Sequence, residues 1–417
     1  MESCEVAIIG GGAAGLMAAA AAAKAGARVE VFERLNEPGL KLYVTGGGHC
    51  NLTRHAAAED IMAAFGRHGR FMAPALEKLD PEGICQHFAG LGVPTSSEDG
   101  VHVFAASGYA EDVVHALEKD CRAGHVCIRT GVRVTGLLVE DGAIRGLEAD
   151  GQGVGARAVI LAAGGCSYPE LGSDGSGYAL ARQAGHEMTE PTPALVPLLS
   201  AEPWVGTLAG IALPARLWIQ DSKPRTRRIT EGPMLFTHHG ISGPATLDLS
   251  GDVAMALRNG EVAVCVQVMP GWDASAWKIR LEEAAQSDGG RKTLRAILAM
   301  SMPARLADAL IEREGMNDKM RLAEMSHTNR DRMTAVLGAC PIRIRATEGW
   351  TRAMVTRGGV RLKEVRPETL ESRLVRGLYF AGEVLDLDGP CGGYNLTWAF
   401  ASGHLAGDAA GHGARGG

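Results

Sequence analysis

The sequence predicts an α/β fold in which a doubly wound, parallel domain is split by an inserted β-rich segment and then a helical one. Three observations predict it. A strand, a glycine turn, a helix and a second strand fill residues 1–34. Two further buried runs that stop at glycine, Ala156–Ala163 and Gly377–Ala381, lie far down the chain, where strands of one sheet would return. Between them, from about Pro191 to Cys340, proline punctuation and then helical periodicity replace the glycine-and-strand style. The implied boundaries are 1–190 plus 345–417 for the discontinuous domain, 191–270 for a β-rich module and 271–344 for a helical module.

In order, Glu5–Ile9 (EVAII) reads as a central parallel strand, and Ala13–Ala25 as a helix of the strongest helix former, stopped by Gly26. Arg28–Phe32 closes the βαβ unit. Thr45–Asn51 is a glycine turn. Helical spacing returns over Glu59–Phe65, Arg70–Leu79, Pro81–Leu91 and Glu111–Ala123. Val126–Thr130, Arg133–Glu140 and Ala143–Ala149 alternate as strands, with Asp141-Gly142 turning a hairpin. In the insertion, Ala215–Gln220 and Glu261–Val268 read as short strands, and Ala274–Leu337 as helical.

At 417 residues the chain exceeds one ordinary core. Its 46% hydrophobic and 22% charged residues are those of a globular protein, and its 56 glycines have no fixed period, which excludes collagen-like and low-complexity chains. Nine cysteines without CxxC spacing exclude a disulfide framework and a structural zinc site, and no metal is expected. The Ala13–Ala25 stretch is too short to span a bilayer and Cys4–Gly10 is already a strand, so no membrane segment or signal peptide is expected and the cytoplasm is the expected compartment. Net charge is −6, yet residues 291–376 carry 18 Lys and Arg against 10 Asp and Glu. That basic block, with Lys223-Pro224-Arg225-Thr226-Arg227-Arg228, would suit an anionic partner or simply form a solvated surface.

Gly10-Gly11-Gly12-Ala13-Ala14-Gly15 sits between the first strand and its helix, the context in which a GxGxxG turn holds a dinucleotide in a Rossmann-like fold. Gly10 makes the tight turn, Gly12 admits a pyrophosphate to the backbone, and Gly15 permits close helix–strand packing. The N–H groups at Ala13 and Ala14 open the helix toward the phosphates. Glu33, 23 residues after Gly10, is placed to accept hydrogen bonds from a ribose diol, and Arg34 follows it into the same site. Ala163 and Gly164 end one distant strand; Gly382 and Glu383 end another, with Glu383 placed for the ribityl or pyrophosphate part of an extended FAD. No second complete GxGxxG follows a strand. The expected cofactor is therefore FAD, reduced by substrate, by transiently bound NAD(P)H or by a partner.

Four segments carry a resemblance to a known family: Lys41-Leu42-Tyr43-Val44-Thr45-Gly46-Gly47-Gly48-His49-Cys50-Asn51-Leu52-Thr53, Ala162–Pro169, Leu235–Pro244 and Gly377–Asn395. The sequence resembles the HI0933-like flavoproteins, also called BaiN-like or aminoacetone-oxidase-like, over nearly its whole length. The resemblance implies a glutathione-reductase-like FAD domain in two parts, interrupted by a β-barrel-like module and a small helical module. It implies that Lys41, Thr45, Gly47, Gly48, Cys50, Asn51, Glu383, Asp388, Gly393, Tyr394 and Asn395 belong to the flavin site, and that the backbone of Val134 meets the adenine. Successive glycine N–H groups suit the electron-rich edge of a reduced flavin. His49 stands where the family usually has Arg, and Leu40 where Arg is common.

Two side chains are candidate reacting groups. His238, in the Thr-His-His-Gly-Ile-Ser-Gly-Pro loop, could act as general acid or base, or could order its loop. Cys391 could deliver a proton to carbon, or could fill a tight turn. Relatives' activities imply reduction of an activated C=C bond, of the enone or uracil type, with a small molecule or ribosomal RNA as substrate. The alternatives are a small-amine oxidase that releases hydrogen peroxide, and a flavin-binding redox sensor without catalysis.

Overall fold

The computed structural model describes residues 3–220, 228–286 and 291–415. The basic run at 223–227 lies outside them. The chain forms two compact units, Met1–Pro193 with Ala353–Gly417, and Ala194–Arg352.

The first unit is built on a five-stranded parallel sheet. Its strand order is Leu378–Phe380, Ala158–Leu161, β1 (Val6–Ile9), β2 (Val29–Phe32) and Cys127–Arg129. β1 sits in the centre, with Val6 opposite both Ala158 and Val29. All four β1 residues are buried, so both faces of the sheet are covered, and this is why the run is apolar without alternation. Both distant strands read from the sequence return to this sheet, beside β1 and each other.

α1 (Ala13–Lys24) follows β1. Gly26, at φ +87°, ends it in the left-handed region, and the Gly26 and Ala27 N–H groups donate back to the Ala23 and Ala22 carbonyls. The C-terminal helix Tyr394–Arg415 lies along α1. Gly403, Gly407 and Gly411, each four residues apart, meet Ala14, Ala18 and Ala22 in turn, so the two helices run parallel. A Cβ at Gly403 or Gly407 would run into the carbonyl oxygen of Ala14 or Ala18. The glycine stripe is what lets the backbones approach.

A three-stranded antiparallel sheet begins with the hairpin Val134–Glu140 and Ala143–Ala149. Its turn residues Asp141 and Gly142 both have positive φ (+51° and +67°), as a two-residue primed turn requires.

The second unit holds a closed six-stranded barrel. Around it run Leu198–Ser200, Gly240–Ser242, Thr230–Phe236, Ala212–Ile219, Val262–Gln267 and Cys340–Thr347. The last strand lies beyond the helical stretch, so the barrel closes only when the chain returns from those helices. One apolar core joins the two, with Val264 and Ile342 of the barrel clustered with Trp277, Leu281, Leu306 and Leu310 of the helices. The stretch read as β-rich also contains a 13-residue helix, Pro244–Ala256. Pro244 occupies its first turn, where the missing N–H is harmless, and Leu249 and Val253 bury one face. Among the described residues no helix is long and apolar enough to cross a membrane.

Candidate active site

The glycine turn after β1 is shaped by contact on one side and by open space on the other. Gly10 has φ +101°, and a Cβ there would lie 2.6 Å from the Ala162 carbonyl oxygen. A Cβ at Gly15 would run into the Gly10 carbonyl, so the helix can sit this close to β1 only with glycine. Gly12 caps α1 without a side-chain hydrogen bond, no acidic residue occupies the first turn, and a Cβ on Gly12 would meet nothing within 4 Å. The positive end of α1 therefore opens onto free space, as a pyrophosphate site needs. At the end of β2 the buried Glu33 carboxylate accepts the Gly11 N–H through Oε2 and the Leu35 N–H through Oε1, both at 2.8 Å. It is fixed beside the turn at the position of a ribose-binding acid.

From there the site runs along the two parallel helices. Gly382 abuts Ala14, since a Cβ at Gly382 would stand 2.8 Å from the Ala14 Cβ. The C-terminal helix extends beyond Gly403, its contact with the start of α1, by the nine residues Tyr394–Ser402. Since Ala14 is one residue inside α1, the N-terminus of the longer helix overshoots that of α1 by about 12 Å at 1.5 Å per residue. Two helix N-termini are thus staggered along one line, as an extended dinucleotide with phosphates at one end and an electron-rich ring at the other requires. The residues present fit FAD.

Glu383 stands between these termini in a polar knot. Lys41 Nζ donates to Glu383 Oε2 and to Ser167 Oγ, both at 2.6 Å, and Ser167 Oγ donates to Glu383 Oε1 at 2.8 Å. The Thr356 N–H donates to the same Oε1 at 2.7 Å, and Thr356 Oγ1 accepts the Cys166 N–H at 2.8 Å. Residue 165 must be glycine here, because a Cβ would run into Thr356 Oγ1 and lie 2.6 Å from Thr356 Cβ and 2.8 Å from Glu383 Oε1. Ser167 and Thr356 were not singled out from the sequence. Ser167 lay within a recognised segment, whereas Thr356, on the strand Val355–Val360, carries no local signal.

The Thr45–Gly48 turn has three glycines in the left-handed region, and a Cβ on Gly47 would again face open space. Cys50 behind it is fully buried, and burial pushes its thiol up to about 12. Its place is in the packing beneath the turn. The Asn51 amide nitrogen donates to the Thr53 and Val103 carbonyls, and its oxygen accepts the Gly393 N–H at 3.3 Å. The Asn395 amide spans Gly389 and Pro390, accepting the Gly389 N–H at 2.9 Å and donating to both carbonyls. Asp388 forms a two-pronged ion pair with Arg357 at 3.0–3.2 Å. Tyr394 lies under the Arg54 guanidinium, 4.4 Å from its ring centre. Asn395 and Asp388 thus hold the loop in shape.

At the other end, Arg34 donates to the Pro169 carbonyl at 2.8 Å and pairs with Asp174. Val134 opens its strand with its side chain buried. Ala163 and Gly164 follow their strand, and Gly164, at φ +71°, packs against Ser173. Within the first unit Glu33 meets the glycine turn, Lys41 meets Glu383 and Asn51 meets Gly393, whereas Cys50 lies in the packing. His238 belongs to the second unit, exposed between Phe236 and Gly240 at the tip of a barrel hairpin. Cys391 is half-buried beside Gly392.

The glycine turn, the fixed Glu33 and the two-part sheet define a dinucleotide-binding fold whose domain is interrupted by an insertion. The chain belongs to the HI0933-like family: the HI0933-like protein Rossmann domain matches residues 4–409. It is an FAD-dependent oxidoreductase. It is 37% identical to a 3-dehydro-bile acid delta(4,6)-reductase of Clostridium scindens, over 97% of this chain and 98% of that one. It is 30% identical to a ribosomal RNA dihydrouridine synthase of Escherichia coli, over 96% of each. Among solved structures, a flavocytochrome c3 fumarate reductase in its open conformation superposes with a TM-score of 0.53 at 18% identity, covering 99% of this chain and 79% of that one. That last likeness concerns the fold.

Proposed function

We propose that this protein reduces a carbon–carbon double bond conjugated to a carbonyl, in a small enone, with a nicotinamide from solution as reductant. The observation that carries the reading is the pair of full-length relatives. One is named for reducing 4,6 double bonds of an oxo bile acid and the other for forming dihydrouridine. Their common chemistry is saturation of a C=C bond activated by a carbonyl.

Bound at this site, FAD supplies the two-electron reduction of that bond. The chain's own residues do the rest. The α1 terminus and Glu33 hold the nucleotide half. Lys41, Ser167 and Thr356 fix Glu383 midway. The Gly47 turn, where a Cβ would face open space, would offer backbone N–H groups to the cofactor.

A small substrate is favoured over RNA by the fate of the basic block. Residues 291–376 are divided between the two units. Within the block Arg295 pairs with Asp308, Arg332 with Glu314, Arg357 with Asp388 and Arg361 with Glu187. Cations already paired release fewer counterions from a nucleic acid.

The test is anaerobic. NADPH or NADH should bleach the flavin of the purified holoenzyme, and androst-4-ene-3,17-dione should restore its colour with formation of the saturated ketone. Restoration by a uridine-containing RNA instead of the steroid would move the substrate class to nucleic acid. Peroxide release with small amines, and no reoxidation by either acceptor, would replace the reading with an oxidase.

A further inference from the structure

Beside the Gly392 turn lies a histidine that the sequence did not single out. The strand His102–Ala105 pairs with β3 (Asn51–Arg54), and the register sets His102 directly across from Arg54. Asp99 fixes the ring from its own turn. Its Oδ1 accepts the N–H groups of Val101 and His102 at 2.9 and 2.8 Å, and its Oδ2 contacts His102 Nδ1 at 2.6 Å. These contacts hold the Asp99 carboxyl well below the usual carboxylate range, with the His102 ring the largest cause. An ionised Asp99 thus faces Nδ1, which leaves Nε2 as the nitrogen aimed away.

Nε2 points at the flavin loop. A Cβ on Gly392 would lie 2.9 Å from His102 Nε2 and 3.2 Å from Arg54 Nη1. Among the described residues no protein group hydrogen-bonds Nε2. The ring is about a third exposed, so a ligand can reach it. Two other histidines have a carboxylate at Nδ1. His186 is buried, with Ser372 on its second nitrogen, and His412 is exposed in the last turns of the C-terminal helix. Of the three, only His102 combines an orienting acid, an available second nitrogen and the Gly392–Tyr394 turn. Its orienter and its outward nitrogen are the two parts of a proton-transfer histidine.

We infer that His102 is the acid that protonates the substrate carbon and that Asp99 is its positioning residue, an inference that rests on the double-bond reduction proposed above. The balance is simple. The C=C bond takes two electrons and one hydrogen from the reduced cofactor at one carbon, and a proton from His102 Nε2–H at the other. The imidazolium becomes imidazole and regains its proton from water. Arg54 adds a second positive charge on the same face, suited to the carbonyl oxygen on which negative charge develops. The charged and titratable groups that face the ring are Asp99 on its own hairpin and Arg54 from β3; His55 follows β3, Cys391 adjoins Gly392, and Tyr394 lies under Arg54.

Three measurements on His102→Gln and Asp99→Asn test the assignment. With androst-4-ene-3,17-dione as acceptor, reoxidation of dithionite-reduced His102→Gln holoenzyme should slow by about 100- to 1000-fold. Its FAD content and its rate of reduction should stay within about threefold of the parent. Parent reoxidation should fall as pH rises through one ionisation, and that limb should vanish in His102→Gln and shift in Asp99→Asn. Independently of turnover, the imidazole proton resonance missing from His102→Gln should move when FAD is added to apoprotein. A resonance that stays put, or a His102→Gln enzyme that reoxidises at the parent rate, overturns the assignment. A parent that no enone reoxidises, with the resonance still shifting, sinks the proposed reaction and leaves His102 at the flavin.

Discussion

The Glu33 carboxylate and the Gly11 N–H, 22 residues apart in sequence, meet at 2.8 Å across the mouth of the nucleotide site. This bond ties the end of β2 to the glycine turn and aims a buried charge at the position of the ribose. Glu33→Gln keeps the shape and removes the charge. A hydrogen bond to a charged group contributes about 1.5–3 kcal/mol, so FAD affinity should fall by roughly 10- to 100-fold. Fluorescence titration of apoprotein with FAD measures it. Affinity unchanged within a factor of two would show that Glu33 serves only to brace the turn.

A second prediction concerns helix packing. Gly407→Ala favours the helix by about 1 kcal/mol through propensity. It also drives a methyl group into the Ala18 carbonyl oxygen. Overpacking against backbone costs about 1–3 kcal/mol, and here no flexible side chain can yield. Net destabilisation should lower the urea midpoint. A midpoint at or above the parent value would mean the helices are not held at glycine distance.

That glycine stripe also explains what the sequence concealed. The strands beside Gly10, Gly164 and Gly382 were legible because buried parallel strands are unbroken apolar runs ended by glycine. The Asp141-Gly142 hairpin was legible because its turn requires positive φ. The 22-residue C-terminal helix was not legible, and its first residues, Tyr394 and Asn395, read as a turn. Glycines at 403, 407, 411 and 413 contradict helix propensity, and only the partner helix shows why they are there. The helix at Pro244 was hidden in the same way, by prolines that suggested strands. Cofactor residues on glycine turns carried a local signal. Thr356 and Arg54 meet partners far along the chain, and His102, though Asp99 is only three residues away, reaches Gly392 from another strand, so no spacing announces them.

The Lys41–Glu383 pair supplies a third prediction. Each side chain is 21% exposed, and the 2.6 Å contact is shared with Ser167. Lys41→Met leaves Glu383 with the Ser167 hydroxyl and the Thr356 N–H, and Glu383→Gln leaves Lys41 with Ser167 alone. In the FAD-bound protein each single change should destabilise by about 1–3 kcal/mol. The double change should fall short of their sum by about 0.5–3 kcal/mol, because the stranded charge is gone. Urea unfolding of the four proteins closes the cycle. Additivity within about 0.3 kcal/mol would show that the two groups do not interact in solution.

The last prediction is the response to acid. His87, His186 and His404 all lie below the ordinary imidazole value of 6.5, burial being the largest cause in each. Lys24 lowers both His87 and His404 further, while Asp120 and Glu364 pull His87 and His186 partly back. Where the folded value lies below the unfolded one, the unfolded chain takes up the proton first as pH falls. The stabilisation is then complete above about pH 6.5 and is lost progressively as pH drops toward the folded values. Ordinary carboxylates remain ionised down to about pH 5, so the upper part of this loss belongs to the histidines. The urea midpoint should therefore be flat from pH 8 to 7 and fall between pH 6.5 and 5.5 at constant ionic strength. His404→Gln, which removes one of the three protons, should make that fall shallower. A midpoint that is constant or rises on acidification would mean that these rings are protonated in the native protein.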